Sequence, residues 1–404
     1  MDRKQFLGTL TAGALMAATG VANAAPGKRK AAKKGPLAIT MWDFSWLERR
    51  WPGAGYEDWD VALDGLVERG YNAVRIDAYP HLVAKAPHKE WTLLPQWNTQ
   101  DWGSPDINRV TILPALTEFI GKCHRRGIRV GLSSWYREDA DKTRMQIDSP
   151  ERMAADWIVT LEHIKRAGLM DAIVYVDLCN EWPLHIWAPW FQKKEGSDDW
   201  TTPASLDYMK RAVAKVRAAY PGLPALFSFF NARVEDYLDH KPDFDLFEHH
   251  IWMAQQNDGE YYKEVGYNYE RFDPKGYTAL GQKAKAAYRA RPDYWNSLLV
   301  DKINRTARVA RQLNKPLVTT ECWSLVDYKD WPLLEWDWIK DINALGVATA
   351  SKTGQWLGIA TSNFCGPQFK GMWNDVRWHQ AQTTLIKNGP VTPELKSSLL
   401  WGRL

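Results

Sequence analysis

The chain has 404 residues, 45% of them apolar, and a formal charge of +4 at neutral pH. That length suits one large barrel domain, for which roughly 250 residues is typical and over 400 is known, although two smaller domains would fill it equally well. The charge is concentrated at the start: in residues 1–35 seven basic side chains face only Asp2, a net of +6. The rest of the chain therefore carries about −2, which excludes the broad basic face that a nucleic-acid binder needs.

Arg3 and Lys4 precede a mildly apolar stretch, 6–21, and Ala22-Asn23-Ala24 has the A-x-A form of a cleavage site. Residues 1–24 read as an export signal of the general secretory type or, from Arg3-Lys4-Gln5-Phe6-Leu7, of a twin-arginine-like type. The protein is therefore expected in the periplasm or outside the cell. The apolar stretch is too short and weak to persist as a membrane helix, so no membrane attachment is expected after cleavage. Residues 25–36, A-P-G-K-R-K-A-A-K-K-G-P, read as a basic linker, leaving 37–404 as the folded domain.

From there short apolar runs alternate with amphipathic stretches. Run 37–42 is followed by a helix at 57–69, with Trp59, Leu63 and Val67 spaced by four and Gly70 beyond its end. Run 73–77 leads through a long connection, 78–111, to a helix at 112–126 that stops at Gly127. Run 128–133 precedes a helix opened by Ser149-Pro150-Glu151, an N-cap with proline in the first helical position, and closed by Gly168. Runs 172–178 and 225–229 flank a helix at 203–219. Run 244–249 is followed by a second long connection, 250–293, and a helix at 294–313. Runs 317–320 and 356–361 come last, with helices at 333–344 and 374–388. None of the runs alternates polar with apolar, as befits strands buried on both faces. The repeat predicts an α/β fold, a single (β/α)8 TIM barrel. An open doubly wound sheet lacks the glycine-rich loop it needs after the first strand.

The connections after strands two and six are long and rich in aromatic residues. Such loops lie on the C-terminal face, where barrel active sites sit, and read as the walls of a substrate groove. Twenty-three tryptophans are too many to place wholly in a core that must satisfy every indole N–H, and sugar rings stack on exposed indole faces. Trp135, Trp182, Trp187, Trp252 and Trp323 all follow strand ends and are candidate sugar platforms. The four cysteines, Cys123, Cys179, Cys322 and Cys365, form no C-x-x-C or Cys/His cluster, so no metal site or cofactor is expected and the thiols should be free.

Ionisable residues gather at the strand ends. Strand two ends at Arg75-Ile76-Asp77, strand four at Asp177-Leu178-Cys179-Asn180-Glu181, strand six at Glu248-His249-His250, and strand seven at Thr320-Glu321. A carboxylate at the end of a buried strand is costly unless it is paired or used. Strands four and seven lie nearly opposite in a barrel, so Glu181 and Glu321 can converge on one glycosidic bond, one as acid and the other as nucleophile. His249 and His250 point to opposite faces of an extended strand, so only one can face the centre. His81, just after Tyr79-Pro80, is a candidate either for substrate contact or for loop packing.

Asn180-Glu181 closing strand four, Glu321 closing strand seven, the segment Gly70-Tyr71-Asn72-Ala73-Val74-Arg75-Ile76 and His250-Ile251-Trp252 together resemble the clan A glycoside hydrolases, the cellulase-like retaining barrels. The resemblance implies that Glu181 is the acid/base and Glu321 the nucleophile. It also implies that Asn180 binds the sugar 2-hydroxyl, that Arg75 keeps Glu321 ionised, and that His250 or His249 orients the site. Trp252 stands where the clan has Tyr, and Ser362-Asn363-Phe364 where it usually ends strand eight in Trp. The expected activity is two-step hydrolysis of β-linked poly- or oligosaccharides, a carbohydrate being the partner. A catalytically silent sugar-binding barrel is the alternative. A metal-dependent hydrolase using His81, His249, His250 and Asp77 lacks the His-x-His usual on strand one, where Thr40-Met41-Trp42-Asp43 stands.

Overall fold

The computed structural model describes residues 34–97, 100–230, 232–268 and 274–404. The export signal at 1–24 and most of the linker at 25–36 lie outside the described residues. Eight parallel strands form the frame: β1 (Leu37–Asp43), β2 (Ala73–Asp77), β3 (Arg129–Ser133), β4 (Ile173–Asp177), β5 (Ala225–Leu226), β6 (Phe247–Glu248), β7 (Leu317–Thr319) and β8 (Trp356–Ala360). They run in the order β5-β4-β3-β2-β1-β8-β7-β6. A parallel bridge between Phe229 and His249 joins the two ends. Phe229 N donates to Glu248 O at 3.1 Å there, and His250 N donates to Phe229 O at 3.1 Å. The (β/α)8 barrel expected from the strand–helix repeat is the fold observed.

Eight helices follow the strands in turn: α1 (Trp59–Glu68), α2 (Ile112–Arg125), α3 (Pro150–Arg166), α4 (Pro203–Ala219), α5 (Asp236–His240), α6 (Pro292–Gln312), α7 (Asp337–Thr353) and α8 (Val376–Lys387). Their starts are written in the sequence. Asp58 caps α1, Ser149 caps α3 with Pro150 behind it, Thr202 caps α4 with Pro203, and Asp375 caps α8. Gly70 ends α1 at φ +81°, and a Cβ there would lie 2.5 Å from Thr383 Oγ1, so only glycine fits this turn beside α8. Met153, Trp157, Leu161 and Ile164 form the buried stripe of α3.

Three expectations are corrected. Segment 250–293 is mostly helical, through Gln256–Val265, Pro274–Ala279 and Lys285–Ala290. Its first helix contains left-handed backbone at Asn257, Asp258 and Gly259, which breaks the apolar period that would have marked it. The helix read at 333–344 is α7, which starts later and runs on to Thr353. Its second half is small-residue rich because Gly346 lies against Trp323, where a Cβ would approach the ring to 2.4 Å. Connection 78–111 also carries structure, a helix at Pro80–Lys85 and an antiparallel pairing of Glu90–Leu93 with Asn108–Thr111.

The tryptophans are more deeply placed than expected. Twelve are fully buried, and only Trp51 and Trp331 are exposed among the described residues. The core accommodates them by giving many indoles a partner: Trp42 donates to Cys365 O, Trp46 to Asp77 O and Trp157 to Leu178 O. All four cysteines are free and buried. No helix among the described residues is long and apolar enough to cross a membrane.

Candidate active site

At the C-terminal mouth of the barrel the side chains converge on Arg75, from β2. Its guanidinium is fully buried, 4.6 Å over the Trp135 ring. Nη1 donates to Thr320 Oγ1 at 3.0 Å and to Glu321 Oε1 at 3.2 Å. Nη2 donates to Asp177 Oδ2 at 2.5 Å, Asn180 Oδ1 at 2.6 Å and Ser133 Oγ at 2.9 Å. Nε lies 3.7 Å from Glu248 Oε1. Burial disfavours the guanidinium charge, but Glu248 and Asp177 outweigh burial and hold its proton more tightly than usual. Burial pushes Asp177 up, against the pull of Arg75. For Glu248 burial also acts upward, but Arg75, His250 and Thr320 overcome it and leave the carboxyl below its ordinary range.

Glu181 sits on a turn just past β4. Its backbone is left-handed, φ +47°, a strained conformation for a side-chain-bearing residue. Ser228, past β5, holds that turn: Glu181 N donates to Ser228 Oγ at 3.0 Å and Trp182 N to Ser228 O at 3.0 Å, while Ser228 Oγ itself donates to Asp177 at 2.8 Å. The Glu181 carboxyl is thereby aimed at His250, whose Nδ1 lies 2.9 Å from Oε1. The same nitrogen is 3.8 Å from Glu321 Oε2. Glu181, His250 and Glu321 each place one polar atom within 4.8 Å of the others.

The charges of the site act on one another. Burial alone would strip His250 of its proton; the carboxylates of Glu321, Glu181 and Glu248 outweigh that and hold its pKa up at about 10. Burial pushes Glu321 up to about 7, with His250 and Arg75 pulling down and the charge of Glu181 adding to the rise. These three residues are the only cluster of potential metal ligands among the described residues. A retained imidazolium proton and the neighbouring guanidinium make it a poor cation site.

A cavity of about 370 Å³ opens above the pair, walled by Trp97, Trp102, Trp187, Phe230, Trp252 and Val326. Asn180 uses its carbonyl on Arg75, and its Nδ2 has no hydrogen-bond partner among the described residues. The indole nitrogens of Trp102 and Trp252 are likewise without partners there. Arg75, Asn180, Glu181, His250, Trp252 and Glu321 are thus brought together.

Other candidates lie elsewhere. Trp135 is the floor beneath Arg75 and is fully buried. Trp182 stacks on Tyr208 at 4.6 Å and donates to Ser205 Oγ at 2.8 Å, in the core. Trp323 donates to Ala360 O at 3.0 Å and packs on Gly346. These three are structural, not sugar platforms, because the chain turns them back into the barrel wall. His81 is buried, its Nε2 3.1 Å from Arg137 O, and burial pushes its pKa down to about 3. His249 turns toward Tyr237, 3.2 Å away, so His250 is the one facing the site. Asp77 accepts from the backbone N–H groups of Tyr79 and Trp135, at 2.7 and 3.0 Å, and shapes a turn.

Sequence reasoning missed Trp97, Trp102, Phe230 and Val326 as individual wall residues, although both tryptophans fall in the connection read as a groove wall. It also missed Ser133, Ser228 and Thr320 as supports. Thr320 had a signal, standing next to Glu321, whereas Ser228 had none.

A (β/α)8 barrel with two facing glutamates over one buried arginine has the architecture of the cellulase-like barrels. The chain belongs to the sugar-binding cellulase-like family, whose family model matches residues 39–387. Among solved structures it is similar to one from Parabacteroides distasonis with a provisional glycoside hydrolase assignment, at 55% identity over 92% of this chain and 100% of that one, with a TM-score of 0.90. It also shares its fold with a glycoside hydrolase family 5 mannosidase from Rhizomucor miehei, 10% identical over 87% of this chain and 93% of that one, TM-score 0.50. No curated protein matches the sequence.

Proposed function

We propose that the protein is a glycoside hydrolase that cleaves β-linked poly- or oligosaccharides in two displacement steps with net retention. The observation that carries this reading is the 4.8 Å span within which Glu181 and Glu321 each bring a carboxylate oxygen. Retaining enzymes place their carboxyl groups about 5–5.5 Å apart, whereas inverting ones leave roughly 6.5–9.5 Å for a water molecule.

Glu321, with Arg75 at 3.2 Å, is the nucleophile. Its oxygen bonds to the anomeric carbon as the glycosidic bond breaks, and Glu181 gives its proton to the leaving oxygen. Glu181 then takes a proton from water, whose oxygen bonds to the same carbon and releases Glu321. The first step needs the proton on Glu181 and the charge on Glu321. A glycosidic oxygen that accepts from Glu181 draws that proton to Glu181, while Arg75 favours charge on Glu321. Asn180 Nδ2 and the free indole N–H groups suit sugar hydroxyls, and the aromatic wall suits the apolar faces of neutral pyranose rings. The signal-like residues 1–24 support action outside the cytoplasm.

The test is a screen of aryl β-glycosides, β-glucans, mannans and galactans, with the first-formed product anomer followed by proton NMR. A β product appearing first is expected, and an α product would overturn the two-step reading. The pH–rate profile should be bell-shaped, since one carboxyl must be ionised and the other protonated. Protein that binds these sugars and turns none over would favour the silent-barrel alternative.

A further inference from the structure

We propose that Trp187 is a positioning residue whose indole N–H, given to Glu181, fixes the plane of the carboxyl group that meets the glycosidic oxygen. This rests on the assignment of Glu181 as acid/base. Trp187 Nε1 lies 3.3 Å from Glu181 Oε2, while His250 Nδ1 lies 2.9 Å from Oε1. Both carboxyl oxygens are therefore held by separate donors.

The turn between the two residues is short and braced. Leu184 N donates to Glu181 O at 3.0 Å, and Trp187 N donates to Leu184 O at 2.9 Å. Arg144 Nη1 donates to Ile186 O at 3.2 Å while its Nη2 pairs with Glu138 at 2.6 Å. Trp97 packs edge-on against the Trp187 ring, centroids 5.0 Å apart, which fixes its tilt. Trp187 thus differs from two other indoles of the wall: those of Trp102 and Trp252 have no hydrogen-bond partner among the described residues, and that of Trp187 is committed to Glu181.

The charged groups facing Glu181 are His250 and Glu321, with Arg75 and Glu248 behind them. Trp187 is a neutral donor among them, and donors to a carboxylate favour its ionised form. Trp187 thus holds the plane of the Glu181 carboxyl, so that its proton stays directed at the leaving group.

The test compares Trp187→Phe with the unaltered protein on two β-glycosides of one sugar, one with a dinitrophenolate leaving group and one with an alcohol. Dinitrophenolate leaves without a proton, whereas an alcohol needs one. On the alcohol-leaving substrate kcat/KM should fall about 10- to 100-fold, the range for a hydrogen bond to a charged group. On the activated substrate it should change less than about 3-fold. If Trp187→Phe folds poorly, replacing the indole with its benzothiophene isostere removes the N–H alone and gives the same reading.

Equal losses on both substrates would show that Trp187 only packs and would overturn the proposal. Glu181→Gln separates the two levels of failure. If Glu181→Gln shows the leaving-group split and Trp187→Phe does not, only the role of Trp187 falls. If Glu181→Gln loses both substrates equally, the acid/base assignment falls, and this proposal with it.

Discussion

Glu321→Gln is expected to stop turnover and, above neutral pH, to make the protein more stable. Loss of a nucleophile costs on the order of 10⁴-fold or more in kcat. The stability gain follows from burial. The folded state raises Glu321 from an ordinary 4.5 to about 7, so it prefers the protonated form. That preference stabilises the native state below about pH 4.5 and is lost as pH rises through about 7, a change of about 3 kcal/mol. Glutamine keeps the neutral shape at every pH. It leaves Arg75 with Asp177 at 2.5 Å and Glu248 at 3.7 Å, so no buried cation is orphaned. Calorimetry at pH 5 and pH 8 should find the melting temperatures close at the lower pH and the variant ahead by roughly 4 °C at the higher, for a domain of this size. A gap that does not widen with pH would mean that the Glu321 charge is at no disadvantage in its site.

Substitution on the other side of the same contact should act in the opposite direction. Arg75→Met removes the one fixed positive charge among Asp177, Glu248 and Glu321, all of them buried. Breaking a buried ion pair by removing one partner costs about 3–5 kcal/mol, because the remaining charge has no compensation. Here three carboxylates lose a partner, so the upper end applies, with a drop of roughly 5 °C or more in melting temperature and loss of activity. The orphaned carboxylates can escape by taking up protons, so the deficit should shrink toward pH 5. A melting temperature within about 1 °C of the parent at pH 8 would show that the cluster is not held by Arg75.

The two glutamates were legible because each closes an apolar run, and a charge at such a place has few structural uses. Arg75 was legible for the same reason. The choice between His249 and His250 was open from sequence, since strand alternation says only that they differ; the bridge at Phe229 sets which one turns inward. The tryptophans were the weakest reading. Trp182 and Trp187 both follow Glu181 within a few residues, yet one packs in the core and the other touches the carboxyl. Position after a strand does not say which way a turn swings its side chains. Trp97 and Trp102 stand some eighty residues before Glu181, and only barrel closure brings them to the same cavity. The small residues of α7 hid its length, because close approach to Trp323 replaces the usual large apolar stripe.

The joint between β5 and β6 has a mechanical consequence. β2 and β3 pair along their whole length, Ala73–Asp77 against Arg129–Ser133. Between β5 and β6 the backbone bonds among the described residues are one from Asp245 N to Ala225 O and those around the bridge of Phe229 with His249. A cylinder opens along its thinnest joint, and His250 hangs one residue past this one. The hypothesis is that the native state breathes there: the His250 arm slackens while the Arg75 side stays shut, giving product a way out without melting the core. Faster amide hydrogen exchange at Phe229 and His250 than at Arg75 is the signature, and equal protection at all three would exclude it. The barrel would then work less as a rigid cup than as a clasp, hinged on the arginine and latched at the histidine.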